Sequence, residues 1–129
     1  MSASAEKYPL SGITVIDLSH VYNGPYATFL MAMAGANVIK VEPFQGEHLR
    51  SRGDMGGAAL PFAMLNSNKQ PVTLNLKSAK GRELLKEMIQ RADILVENFA
   101  PGVMDRLGLG AVELHKVNPR LIYGSSSGY

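Results

Sequence analysis

The residues best suited to chemistry follow short apolar runs of the chain. Tyr22 and Asn23 come after the run at 13–18, Asn98 and Phe99 end the run at 93–99, and three serines follow the run at 121–124. Carboxyl ends of parallel strands meet at one edge of a sheet, and open α/β sheets bind ligands there. Aromatic rings, amides and hydroxyls together can bind an adenine and its phosphates. The competing interpretation is a set of plain strand-to-helix connections.

A second group of candidates lies in the glycine-rich stretch 44–61. Arg50 and Arg52 have the forked guanidinium that suits bidentate contact with a phosphate. A loop this long in a small domain is more often functional than not. A solvated charged loop remains an open alternative, and His48, like His20, could be a surface residue or a base.

Several kinds of chemistry have no matching pattern in the sequence. The chain has no cysteine, which excludes disulfides, thiolate nucleophiles and cysteine-ligated metals, and its three histidines lack metal-ligand spacing, so we expect no metal. The turn after the first apolar run offers only Gly24, so the dinucleotide fingerprint is absent, as are a P-loop and a nucleophile elbow. We expect Asp17, Glu42 and Glu97 to pair with bases or cap helices rather than to act as nucleophiles.

The first 42 residues predict a strand, a helix and a second, parallel strand. Residues 13–18 are a short apolar and β-branched run, residues 26–34 are apolar almost all round, and residues 37–42 (NVIKVE) follow as the second strand. We therefore expect this helix to be covered on most sides. Pro25 suits its first turn, and Gly35 suits the left-handed position that ends it.

The rest of the chain continues the alternation of strands and helices. We predict one helical turn at 62–65, an edge strand at 71–76, an amphipathic helix at 79–92 capped by Ser78, and a strand at 93–99. Short helices at 103–107 and 111–117 and a strand at 121–125 follow. The fold class predicted is α/β, a Rossmann-like and mostly parallel sheet flanked by helices. We predict that residues 1–9 form a flexible lead and that residues 10–129 form one Rossmann-like region.

Composition limits the possible partners. A chain of 129 residues with 46% hydrophobic residues can bury a core as one domain. A formal charge of +2 is too small to indicate a nucleic-acid surface, although it suits a small anionic ligand. No apolar run is long enough for a membrane span, and the first nine residues lack a signal-peptide core, so we expect a cytoplasmic protein.

Six segments, in order, resemble the amino-terminal part of the family III CoA-transferases. They are GITVID (12–17), HVYNGP (20–25), GANVIKVEP (35–43), NSNK (66–69), ADILVENF (92–99) and NPRLI (118–122). The resemblance runs from about residue 10 to residue 129. This family includes formyl-CoA and carnitine CoA-transferases, and α-methylacyl-CoA racemase is a relative.

The resemblance implies a Rossmann-like domain that binds CoA or acyl-CoA as a substrate, with a carboxylic acid as the second substrate, in a homodimer. Tyr22 and Asn23 match positions near the thioester, although Tyr22 departs from the glutamine of formyl-CoA enzymes. The positions that match those holding the CoA adenine, ribose and phosphates are Leu74, Asn75, Lys77, Asn98, Phe99 and Arg106. Pro43 stands where formyl-CoA enzymes have a basic residue, so Arg50 or Arg52 is expected to replace it.

The resemblance also implies the mechanism. In these transferases an aspartate accepts the acyl group as a mixed anhydride and then forms an aspartyl-CoA thioester. That aspartate belongs to a segment beyond Tyr129, so we expect region 10–129 to be a truncated portion with an incomplete family fold and no catalytic residue of its own. Two alternatives stay open: a racemase-like isomerase, and a non-catalytic CoA-binding fragment.

Overall fold

The structure is a computed structural model that describes residues 7–52, 54–55 and 58–128. Residues 1–6 of the expected lead, and Tyr129, lie outside the described residues. In chain order the elements are β1 (Thr14–Asp17), α1 (Asn23–Met33), β2 (Asn37–Glu42), a 3-10 turn (His48–Arg50), β3 (Asp54–Met55), β4 (Ala58–Ala59), α2 (Leu60–Asn66), β5 (Gln70–Thr73), α3 (Ala79–Ile89), β6 (Ile94–Glu97), α4 (Val103–Arg106), α5 (Ala111–Val117) and β7 (Ile122–Ser125).

The central feature is a parallel sheet with the strand order β5-β2-β1-β6-β7. All four neighbouring pairs are parallel, with Val15 opposite both Val38 and Ile94 in the middle of the sheet. Val15 and Ile16 point to opposite faces and are both fully buried. Both faces of β1 are therefore covered, as expected for a parallel sheet. The predicted α/β class is confirmed.

Helices cover the two faces unequally. One face packs against α1 through Val15, Val38 and Ala32. The other face packs against α3, α4 and α5, in a larger core centred on Leu85, Leu95 and Leu114. Because every crossover returns the chain to a parallel strand, the carboxyl ends of β1, β2, β5 and β6 lie along one edge.

The ends of the helices follow the sequence signals. Gly35 has a φ of +99°, and its N–H donates to the carbonyl of Ala32, so it closes α1 as predicted. The Ser78 hydroxyl accepts a hydrogen bond of 3.0 Å from the Gly81 N–H and caps α3. Helix α3 ends at Ile89 rather than at residue 92, a difference within the usual uncertainty of helix ends.

The expectation that α1 is covered on most sides is wrong for the single chain. Thr28 and Ala32 are buried, but Tyr26, Leu30 and Met33 keep 54%, 49% and 54% of their surface exposed. The sheet covers only one side of the helix, and α2 contacts it beside the sheet. Because α1 is apolar on all sides but covered on only some of them, Tyr26, Leu30 and Met33 form a half-exposed apolar strip on its surface.

Two further predictions are corrected by local structure. The predicted strand at 71–76 is shorter in the structure and ends at Thr73. Its neighbour β2 ends before Pro43, so the last backbone hydrogen bond between the two strands runs from the Leu74 N–H to the Glu42 carbonyl. The stretch 44–61 contains the 3-10 turn and the antiparallel pair β3-β4 rather than loop alone. Helix α2 starts at Leu60 and extends the single turn expected at 62–65. Residues 53, 56 and 57 of this stretch lie outside the described residues.

Within the described ranges, no helix is long and apolar enough to cross a bilayer. The expected cytoplasmic location stays a prediction.

Candidate functional site

A cavity of about 480 Å³ lies at the carboxyl edge of the sheet. Leu18 and Val41 form part of its apolar wall, and segment 74–77 after β5 supplies another wall. Val103 of α4 and Leu107, the residue just after that helix, also line the cavity. Apolar walls with a few polar groups, at the carboxyl ends of parallel strands, are typical of a small-molecule site.

Four of the predicted binding residues line this cavity. They are Leu74, Asn75, Lys77 and Phe99. Lys77 is exposed at the surface, so its ammonium can meet an anionic ligand without the cost of burying a charge. Segment 74–77, which precedes α3, and Phe99, which follows it, therefore come together at one site.

The other five predicted residues are not part of the cavity lining. Tyr22 and Asn23 are exposed in the turn that leads into α1, where the Asn23 side-chain amide donates a 3.0 Å hydrogen bond to the Ser126 hydroxyl. This bond joins the start of α1, which follows β1, to the residue that follows β7, so two of the groups expected to converge are in contact. Arg106 is exposed on α4. Arg50 and Asn98 have protein partners, described next.

Asn98 holds the backbone of His20. Its side-chain oxygen accepts from the His20 N–H at 2.8 Å, and its side-chain nitrogen donates to the His20 carbonyl at 2.7 Å. Both ends of the amide are therefore engaged within the chain. The geometry gives Asn98 a supporting role at the cavity edge, and its predicted contact with CoA stays a prediction.

Arg50 forms a two-pronged contact with Glu42. Its Nε and Nη2 donate to the two Glu42 carboxylate oxygens at 2.6 and 2.8 Å, and its guanidinium lies 3.9 Å from the Phe62 ring centroid. Burial alone would raise the pKa of Glu42, but the Arg50 hydrogen bond and charge outweigh it and hold that pKa below its usual value. Arg50 keeps 43% of its side chain exposed, and Arg52 is also exposed outside the cavity.

The residue that sequence reasoning left undecided is His20. Its imidazole lines the cavity, with ring centroids 5.1 Å from Phe99 and 5.8 Å from His48. Among the described side chains, His20 Nδ1 is the one buried nitrogen or oxygen without a hydrogen-bond partner. Burial, aided by the nearby Lys40, lowers the pKa of His20 below its usual 6.5, so the ring is neutral at pH 7. A lone histidine after a strand gives no sequence signal of this kind.

The turn that carries His20 is held in an unusual conformation. Val21 has a φ of +66°, in the left-handed region that β-branched residues avoid. Its N–H donates at 2.8 Å to a carboxylate oxygen of Glu47, a residue that is 1% exposed. Strained residues held by surrounding contacts cluster at functional sites.

A buried ionic cluster of Asp17, Lys40 and Lys69 lies beneath this turn. Lys69 Nζ is 3.0 Å and Lys40 Nζ 3.7 Å from Asp17 Oδ2, and all three side chains are at most 2% exposed. Thr28 donates to the same carboxylate at 2.6 Å, and Ser19 bonds its other oxygen. Burial would raise the pKa of Asp17, but the two lysines and the two hydroxyls outweigh it and lower that pKa.

This ionic cluster fixes the start of α1. Lys69 Nζ also donates to the Pro25 carbonyl at 2.9 Å and to the Asn66 side chain at 2.8 Å. Lys40 Nζ donates to the Ser19 carbonyl at 2.9 Å. The cluster therefore ties β1, β2, α1 and α2 together at the edge where the cavity opens.

The expectation that the strand-end acids pair with bases or cap helices holds for Asp17 and Glu42 but not for Glu97. Asp17 and Glu42 pair with lysine and arginine, and Glu97 accepts from the Phe99 N–H at 2.9 Å. The described part of the chain has no group of three His, Asp or Glu side chains arranged to hold a metal ion.

Comparison with known proteins decides the family. The model of CoA-transferase family III matches residues 10–129. The chain belongs to CoA-transferase family III. It is 49% identical over 125 residues to an acetyl-CoA:oxalate CoA-transferase of Acetobacter aceti, covering 95% of this chain and 32% of that protein. A formyl-CoA:oxalate CoA-transferase of Streptomyces coelicolor is 45% identical over 124 residues, covering 93% of this chain and 30% of that protein.

A solved structure has the same fold over almost the whole chain. The Mycobacterium tuberculosis protein Rv3272 superposes with a TM-score of 0.90 at 35% identity, over 95% of this chain and 34% of that protein. The family III chain thus spans about a third of the length of the relatives it matches and corresponds to their amino-terminal portion.

Proposed function

We propose that the cavity at the carboxyl edge of the sheet binds the CoA portion of a CoA thioester. The observation that carries this proposal is the convergence of Leu74, Asn75, Lys77 and Phe99 on one cavity. These residues were singled out from sequence segments 22 residues or more apart, yet they line the same 480 Å³ space. A cavity of this size fits part of a cofactor-sized ligand.

The activity proposed for the whole protein is transfer of CoA between carboxylic acids. Membership of family III supports CoA transfer, and the names of two relatives favour a short acyl-CoA donor and oxalate as acceptor. The mechanism proposed runs through an aspartyl anhydride and an aspartyl-CoA thioester.

We assign the nucleophile to none of Asp17, Asp93 and Asp105. Asp17 is buried under two lysines, and Asp93 accepts a 2.9 Å hydrogen bond from the Thr14 N–H. Asp105 is exposed on α4, outside the cavity lining. The nucleophile is therefore proposed to lie in the part of the family fold that this chain does not span, and the chain alone is expected to bind without turnover.

A homodimer is also part of the proposal. The half-exposed apolar strip of Tyr26, Leu30 and Met33 supports it, since apolar patches of this kind often mark interaction surfaces. Light scattering of the chain would detect the dimer, and a monodisperse monomer would count against it.

Lys77→Ala tests the proposed CoA site. We expect calorimetry to show saturable CoA binding by the unmodified chain and about tenfold weaker binding by the variant, because a charge-assisted contact with phosphate is lost. The weakening should shrink as salt increases.

Lys80→Ala is the matched control. Lys80 is also an exposed lysine, three residues further on, but it pairs with Glu83 at 3.0 Å and does not line the cavity. It should leave CoA affinity unchanged. Equal loss in both variants would indicate general attraction between CoA and positive charge, and would contradict the site.

A further inference from the structure

We infer that the Phe44 ring stacks on the adenine base of the bound CoA. This inference rests on the proposed function and adds to it the side chain that contacts the base. Phe44 lines the cavity and keeps 74% of its surface exposed. Single exposed apolar side chains are common on proteins, so exposure alone indicates nothing. The argument depends instead on the place of the ring in the cavity wall, on its neighbours and on the turn that carries it.

Phe44 differs from the other aromatic residues of the cavity lining. Four aromatic rings line the cavity, those of His20, Phe44, His48 and Phe99. The His20 ring centroid lies 5.1 Å from that of Phe99 and 5.8 Å from that of His48, so these three rings form one packed group. Among the described residues, no aromatic ring or cation packs against the Phe44 ring. Most of this ring is therefore available to a ligand.

The turn that carries Phe44 is fixed at both ends. The Gly46 N–H donates to the Pro43 carbonyl at 2.9 Å, which closes a β-turn with Phe44 at its second position. The buried carboxylate of Glu42, just before the turn, accepts a 2.9 Å hydrogen bond from the Glu47 N–H, just after it. A ring on a fixed turn loses little freedom when a ligand stacks on it, so the cost of binding is small.

The charge that accompanies an adenine base in CoA has a partner in the same cavity. Lys77 lines the cavity and is exposed, so its ammonium can pair with a phosphate. CoA joins its adenine and its phosphate groups through one ribose, so these groups lie close together in the ligand. The rest of CoA, the pantetheine arm, is uncharged and has no flat ring. An aromatic face and an ammonium group within about 480 Å³ therefore match the nucleotide end of CoA.

Phe44→Ala tests the inference by calorimetry with CoA. We expect about tenfold weaker binding, because stacking between an aromatic side chain and a base is lost. Phe44→Trp keeps an aromatic face and should bind within about threefold of the unmodified chain. Val112→Ala is the control, because Val112 on α5 is 73% exposed and lies outside the cavity lining. It should leave CoA affinity unchanged.

Fluorescence of the Phe44→Trp variant identifies the part of CoA that meets the ring. The chain contains no tryptophan, so the introduced indole is the sole one. We expect CoA to quench its emission in a saturable way, because a stacked adenine quenches indole fluorescence. The ligand 4′-phosphopantetheine, which lacks the adenosine portion, should leave the emission nearly unchanged. Emission of the Val112→Trp variant should respond to neither ligand.

Three results would overturn the inference. The first is CoA binding by Phe44→Ala as tight as that by the unmodified chain. The second is a Phe44→Trp chain saturated with CoA but not quenched. The third is equal quenching by 4′-phosphopantetheine, which would place the other end of the ligand at the ring. If the unmodified chain does not bind CoA, the proposed function fails instead.

Discussion

Replacing Asp17 with asparagine is expected to lower the free energy of unfolding by about 3–5 kcal/mol, the range for breaking a buried ion pair. The substitution keeps the size of the side chain and removes its charge. Lys40 and Lys69 would then be buried without a carboxylate, at side-chain exposures of 1% and 2%. Since small domains are stable by only about 5–15 kcal/mol, this loss is large.

Urea unfolding followed by circular dichroism measures the effect of Asp17→Asn. Glu83→Gln is the control, because it breaks an ion pair with Lys80 that is exposed on both sides, and it should change stability little. A loss for Asp17→Asn no larger than that of the control would mean that the ionic cluster contributes nothing.

The same carboxylate predicts a pH dependence. The pKa of Asp17 in the folded chain lies below the ordinary 3.8. As pH falls, the Asp17 carboxylate is therefore protonated at a higher pH in the unfolded chain than in the folded chain. The stabilisation by Asp17 is therefore complete above about pH 4–5 and is lost as pH falls through the lowered pKa. The Asp17→Asn variant has no carboxylate to protonate at this position, so its free energy of unfolding should fall less between about pH 5 and acid pH than that of the unmodified chain.

Gly81→Ala is expected to destabilise the chain by about 2 kcal/mol, a typical cost of forcing an extra methyl into a packed site, and to weaken CoA binding. A Cβ at Gly81 would lie 2.0 Å from the Asn75 carbonyl oxygen, a backbone atom that cannot simply rotate away. Asn75 lines the cavity, so displacement of its backbone alters the cavity wall.

The expected loss of stability in Gly81→Ala is opposite to the usual effect of such a substitution in a helix. Gly→Ala inside a helix normally stabilises by up to about 1 kcal/mol, since alanine has the higher helix propensity. Lys80→Ala, one residue earlier on the exposed side of α3, is the control and should be close to neutral. Unfolding midpoints in urea compare the two variants. A Gly81→Ala chain as stable as the unmodified one would show that α3 does not pack closely on segment 74–77.

Local sequence signals were enough for the framework of the fold. The alternation of apolar runs and helical stripes predicted the parallel sheet, and Gly35 and Ser78 marked helix ends through their own backbone and side-chain chemistry. These signals act within a few residues, so one sequence suffices to read them. Helix α1 was misjudged because its composition cannot say which of its sides the same chain covers.

The candidate site was less accessible from sequence because its contacts join distant residues. Lys40 lies between two apolar residues of β2, and its role becomes clear only from its ion pair with Asp17 on the neighbouring strand. Asn98 looked like a ligand-binding amide, but its partner in the structure is the backbone of His20, 78 residues away. The unpartnered nitrogen of His20 depends on the packing of Phe99 and His48, which no spacing in the sequence reveals.

The central claim is that CoA occupies the cavity at the carboxyl edge of the sheet. Backbone ¹H–¹⁵N NMR of the chain during a CoA titration tests it most directly. We predict that the largest shifts fall on residues 74–77, on Phe99 and on His20, and that the exposed strip of Tyr26, Leu30 and Met33 changes little. Saturating shifts confined to that strip, or no shifts in a folded chain, would contradict the account.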